Sequence, residues 1–150
     1  MQMPRKDSLS RFGGMLVALG IVALLAACGG SSPSQTTPQT TSFQSQVKTS
    51  DAMFLVLLSV TPDRLGANQF HVTVENASTK KLVSNLQVRL ATTMLDMAMG
   101  TDTYDLQANG NGIYSTSGNL SMGGHWQIRV LLRTPDAALH TAQVQFSTTS

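Results

Sequence analysis

Thioethers are the groups in this chain whose type and spacing suggest chemistry. Four of the five methionines that follow Met15 fall in two stretches, Met94-Leu95-Asp96-Met97-Ala98-Met99-Gly100 and Ser121-Met122-Gly123-Gly124-His125-Trp126. Thioether and imidazole donors suit copper(I), and a thioether stays competent where a thiol is oxidised. In an extended segment Met97 and Met99 point the same way, because side chains alternate with period two. Met94 reaches that side only if the segment bends. Met122 and His125 flank a Gly-Gly pair whose backbone freedom can bring both toward the same locus, and the π face of Trp126 suits a covered cation. Packing is the competing account, since methionine is an adaptable gap-filler that makes sulfur–ring contacts, here with Trp126. A flexible methionine face also serves protein recognition. Three readings therefore stay open: a copper(I) site built from Met94, Met97, Met99 and Met122 with His125 and Trp126, an ordinary core, and a docking face.

Other chemistries find less support. Asp96 is a hard ligand inside a soft segment, or else it faces solvent. His125 has parity opposite to Trp126, which predicts exposure unless the turn re-aims it. His71 falls on the polar side of an alternating stretch. His140 shares the parity of Ala142 and Val144, which predicts a partly buried, hydrogen-bonded ring. The three histidines have no metal-ligand spacing among themselves. Asp96, Asp102 and Asp105 have no histidine or nucleophile at a defined spacing and read as solvated loop acids. With no Gly-x-Ser-x-Gly elbow, phosphate-cradling glycine loop or His-Glu-x-x-His, the chain reads as a non-enzyme.

Strands must position these residues. Met53 to Val60 is continuously apolar, ends at Thr61-Pro62-Asp63 and predicts a buried first strand. Asn68 to Glu75 alternates, with Phe70, Val72 and Val74 on one face. Leu86, Val88 and Leu90 share a face of a third strand that runs out at the methionine segment. Tyr104 and Leu106 mark a short strand, Asn109-Gly110-Asn111-Gly112 a turn, and Ile113 to Leu120 another strand. Trp126, Ile128, Val130 and Leu132 then occupy one parity against Gln127, Arg129 and Arg133. Ala142, Val144 and Phe146 line the last strand. About seven strands without a 3.6-residue period predict an all-β, immunoglobulin-like antiparallel β-sandwich over residues 48–150.

The N-terminus supplies an address. Arg5, Lys6 and Arg11 precede an uncharged run from Gly13 to Ala27, which has the length of a signal-peptide core and falls short of the roughly 20 apolar residues of a spanning helix. Leu25-Ala26-Ala27-Cys28 resembles the lipobox of bacterial lipoprotein signal peptides. That resemblance implies cleavage after residue 27, lipidation of Cys28 and an extracytoplasmic protein anchored to a bacterial membrane by lipid, since two or more acyl chains hold stably where one does not. Cys28 is the single cysteine, so no disulfide forms within the chain. Residues 28–47, rich in Ser, Thr, Pro and Gln, read as a flexible tether. Three of the ten basic and one of the eight acidic residues precede Cys28, so seven of each remain and no basic footprint for nucleic acid is left.

The Asn-x-Phe-x-Val-x-Val strand from Asn68 to Val74, the Met-x-x-Met-x-Met-Gly segment, the Gly-x-Tyr of Gly112 and Tyr114, and the Met-x-Gly-x-Trp of Met122, Gly124 and Trp126 follow one another in an order that resembles the YtkA-like domain. That family is similar to the CopC-type copper-resistance sandwiches and to the FixH proteins of cytochrome oxidase assembly. The resemblance spans about Asp51 to Phe146. It implies an extracytoplasmic immunoglobulin-like sandwich with a role in copper handling, and copper-handling or oxidase-assembly proteins as partners. The family's methionine segment usually reads Met-Pro-x-Met-x-Met; Leu95 stands here at the proline position, and all three thioethers are kept.

Overall fold

A computed structural model describes residues 41–148. The expected signal peptide over 1–27, the expected lipidation of Cys28 and the expected tether up to residue 40 lie outside the described residues. Nine strands succeed one another: β1 Phe43–Lys48, β2 Phe54–Thr61, β3 Gly66–Asn76, β4 Gln87–Met94, β5 Thr101–Asp105, β6 Gln107–Ala108, β7 Ile113–Leu120, β8 Gly124–Arg133 and β9 Leu139–Thr148. They form two antiparallel sheets, ordered β1-β2-β3-β7-β6 and β5-β4-β8-β9. The order β2-β3-β7-β6 reproduces strands A-B-E-D of an immunoglobulin fold and β5-β4-β8-β9 reproduces C′-C-F-G.

The expected alternation sets the core. Phe70, Val72 and Val74 of β3, Val88 and Leu90 of β4, Trp126, Ile128, Val130 and Leu132 of β8, and Ala142, Val144 and Phe146 of β9 all turn inward. Two expectations need correction. The continuous apolar run at Met53 to Val60 is buried on one face only, with Phe54, Val56, Leu58 and Val60 inside, while Met53 and Leu57 stay exposed. In a two-layer sandwich each sheet has one face turned away from the core, so a fully apolar sequence does not make a fully buried strand. The tether also ends sooner than residue 47. Phe43 to Lys48 is a strand paired in full with β2, from Phe43 opposite Val60 to Lys48 opposite Leu55. Phe43 stacks on Phe146 of the other sheet with ring centroids 4.9 Å apart. Its polar composition hides the strand, whose hydrogen bonds come from β2 and whose ring contact comes from β9.

The Tyr104–Leu106 stretch is two short strands rather than one. β5 pairs with β4 and β6 with β7, so the chain changes sheets at Leu106, whose N–H donates to the Val88 carbonyl at 2.9 Å. Tyr114 of β7 ties the sheets elsewhere. Its buried hydroxyl donates to the Val83 carbonyl at 2.9 Å and accepts the Leu86 N–H at 3.2 Å.

His140 is buried, as its parity predicts, and its partner comes from the far end of the sequence. Nδ1 donates to the Asp51 carboxylate, and the ring stands edge-on to Phe54 at 4.8 Å between centroids. Asp51 Oδ1 also accepts the Thr49 hydroxyl at 2.6 Å and the Met53 N–H at 3.3 Å. The Thr49 bond first, and then the His140 bond, hold the Asp51 carboxyl down at about 2. A folded-state value below the unfolded one contributes stability that is complete above the ordinary carboxylate range and is lost as pH falls toward about 2. Denaturant midpoints measured from pH 7 down to pH 2 are therefore expected to drop through the acid range. Asp51→Asn should lower the midpoint at pH 7 and flatten that drop; an unchanged acid slope would remove this pairing from the account.

Candidate metal centre

The two methionine stretches meet because β4 and β8 are neighbours. Met94, the last residue of β4, lies opposite Trp126, and the Leu95 N–H donates to the His125 carbonyl at 2.8 Å just beyond. The rim of the four-stranded sheet is thus made of residues 95–100 leaving β4 and residues 121–125 entering β8.

This geometry divides the six residues singled out from sequence. Met94 and Trp126 go inside, at 5% and 2% exposure. Met94 is the last inward position of β4, and its side chain is buried in the core, with Cε close to Gly124. The indole N–H of Trp126 donates to the Met122 carbonyl at 3.1 Å, which pins the turn to the ring edge, and the ring itself is buried. Both residues are buried, as the packing account expects.

The other four lie outside. Met97, Met99 and Met122 are 53%, 49% and 37% exposed, and the His125 side chain also faces solvent. Beyond β4 the backbone leaves the strand, and the Met99 N–H closes a tight turn onto the Met97 carbonyl at 2.9 Å. Met97 and Met99 lie in this bend with exposed side chains.

Asp96 is the residue whose role sequence reasoning missed. Its Oδ2 accepts the backbone N–H of His125 at 2.7 Å, and its Oδ1 lies 2.9 Å from His125 Nδ1. The backbone bond, and after it the ring bond, lower the Asp96 carboxyl below its ordinary value. The carboxylate is spoken for by the protein, so it is neither a free hard ligand nor a simple solvated acid. Gly124 makes this approach possible. A Cβ there would lie 2.8 Å from Met94 Cε and closer still to Asp96 Oδ2, and its φ of +142° is one that side chains rarely adopt. Nothing in the one-dimensional pattern pairs Asp96 with His125; the signal is the β4–β8 register, which tertiary pairing alone supplies.

The remaining acids and histidines do not converge on this rim. Asp105 pairs with Arg89 at 2.7 and 3.1 Å on the outer face, His71 is exposed on β3, and His140 is buried with Asp51. Among the described residues no three His, Cys, Asp or Glu side chains gather as a metal cluster. The soft side chains exposed at the rim are the thioethers of Met97, Met99 and Met122 and the imidazole of His125.

The family model for YtkA-like domains matches residues 45–131, more than half of the chain. The chain belongs to the YtkA-like family. The match opens within β1 and closes within β8, so β9 lies beyond it. No curated protein and no solved structure matches the chain. The residues that carry the YtkA-like resemblance have structural duties in this fold. Asn68 braces the turn before β3, Tyr114 ties β7 to the segment before β4, Gly124 admits Asp96, and Trp126 anchors Met122. The side chains of Met97, Met99 and Met122 are exposed.

Proposed function

We propose that this YtkA-like protein is a non-enzymatic copper(I)-binding module, held outside the cytoplasm by lipid on Cys28 and serving to buffer copper or deliver it to copper-handling or oxidase-assembly proteins. Met97, Met99, Met122 and His125 are the donors in this reading. One observation carries it. Three thioethers stand open to solvent on the rim that also presents a histidine, while the methionine with a packing role, Met94, is buried. Thioether and imidazole ligands select copper(I) over hard cations, and the rim has no thiol to be oxidised. The donor set fits the metal chemically, and the one carboxylate nearby is engaged by His125.

A second reading rests on Leu95, which is exposed beside the same thioethers. Together these side chains make an apolar rim suited to docking a protein partner, with no metal. Titration of the full-length chain in mild detergent with copper(I), against a competing chelator, separates the two. The copper reading expects competition that Met97→Leu with Met99→Leu weakens strongly, because leucine keeps the bulk and removes the donor. No competition by the wild type, or competition unchanged in the double variant, rejects it.

A further inference from the structure

Asp96 and His125 are linked in a way that packing does not require. The carboxylate already satisfies one group by accepting the His125 backbone N–H at 2.7 Å. Its second oxygen lies 2.9 Å from Nδ1 of the same residue, and the first lies 3.2 Å from it. An ionised carboxylate only accepts hydrogen bonds, so Nδ1 is the donor of the ring. A neutral imidazole carries one proton; with that proton on Nδ1, the lone pair is on Nε2, at the far side of the ring. Two bonds from one carboxylate to one residue also fix where the ring points.

We infer that Asp96 is a positioning residue that holds His125 in the Nδ1–H tautomer and so presents Nε2 as a preformed imidazole donor on the methionine rim. The inference deepens the copper(I) reading and rests on it for the identity of the metal. Metal-bound histidines characteristically donate their other N–H to a carboxylate or carbonyl, which sets the tautomer and raises ligand basicity. Here that arrangement stands ready within the protein's own bonds. The placement also explains an acidic residue inside a soft segment: between Leu95 and Met97, Asp96 reaches back to β8 while Met97 and Met99 lie beyond it. The Gly124 backbone gives the carboxylate its room.

Asp96→Asn is the discriminating variant. The backbone N–H of His125 is a fixed donor, so the asparagine oxygen turns toward it and the amide NH2 faces Nδ1. The new group donates where the carboxylate accepted, which drives the ring proton to Nε2 and blocks the metal donor with little change of shape. The chain has three histidines, so the 15N ring signals of histidine-labelled full-length protein in detergent are assigned with His71→Ala and His125→Ala. Spectra are recorded without metal, at a pH where the ring is neutral. The wild type is expected to show His125 protonated on Nδ1, and Asp96→Asn to show it protonated on Nε2, with unchanged thermal midpoints. Copper(I) affinity is expected to fall by about 10–100-fold in Asp96→Asn, about as far as in His125→Ala, with no further loss in the double variant. A wild-type His125 protonated on Nε2, or one that is unchanged in Asp96→Asn, overturns the positioning role whatever the copper result. A correct tautomer in a wild-type chain that takes no copper(I) overturns the metal reading and Nε2 as its donor together. Full copper affinity in Asp96→Asn despite a switched tautomer likewise removes Nε2 from the donor set.

Discussion

Trp126→Ala is expected to destabilise the domain by about 3–5 kcal/mol, the usual range for truncating a buried tryptophan to alanine. Trp126 lies across from Met94 on one side and Phe146 on the other, and all three are buried. Removing the ring opens a cavity at the end of the core next to the rim, where strand pairing on both sides limits collapse. It also removes the shorter of two hydrogen bonds to the Met122 carbonyl, leaving the Thr148 hydroxyl at 3.4 Å. Against a total stability of about 5–15 kcal/mol for an ordinary domain, a loss of this size leaves a marginal fold. Urea unfolding followed by circular dichroism measures it, since the variant has no tryptophan left for fluorescence. Trp126→Phe keeps most of the ring and loses the hydrogen bond, and should cost about 1 kcal/mol more than the volume change alone. A loss below about 1 kcal/mol for Trp126→Ala would contradict the buried placement and reopen an exposed ring at the rim.

Asn68→Leu carries the second large effect. The buried Asn68 amide uses both its ends. Oδ1 accepts the N–H groups of Asp63 and Arg64 at 2.9 and 3.3 Å, and Nδ2 donates to the carbonyls of Arg64 and Gly66 at 2.7 and 2.9 Å. These four bonds hold the bend from β2 into β3, where Asp63 sits at a φ of +61°. Leucine has nearly the same size and can make none of them. One buried group left without a partner costs about 1–3 kcal/mol, so losing all four contacts should cost at least about 2 kcal/mol even with water reaching some of the turn. The midpoint and slope of a urea melt give the value. A change within about 0.5 kcal/mol would mean that the turn holds itself without this side chain.

Asn68 shows how far sequence reading reached. It marks the start of an alternating strand, and β3 does run from Gly66 to Asn76 with Phe70, Val72 and Val74 inside. Period-two patterning is a local property, so it also identified β4, β8 and β9 and their buried faces, while β7 reads as a strand without an assigned face. The inward position of Asn68 itself carried no mark of its four backbone partners, because their approach depends on how the turn folds back. β1 shows the reverse failure. Its Phe-Gln-Ser-Gln-Val-Lys composition reads as tether, and only pairing with β2 and the stacking of Phe43 on Phe146 make it a strand.

The candidate site divides along the same line. Sequence alone determined that the thioethers cluster, that a histidine lies near them, and that both stretches flank strand ends, because donor identity and strand periodicity are written residue by residue. It also carried enough of the YtkA-like pattern for the family to be recognised. Tertiary structure decided which donors face outward. Met94 takes the last inward place on β4 and Trp126 the first on β8, so register sends both into the core, while the bend beyond β4 leaves Met97 and Met99 in solvent. It alone paired Asp96 with His125, 29 positions apart. The physical reason is that exposure and hydrogen-bond partnership depend on which strands become neighbours, and the β4–β8 pairing joins residues that no local pattern connects.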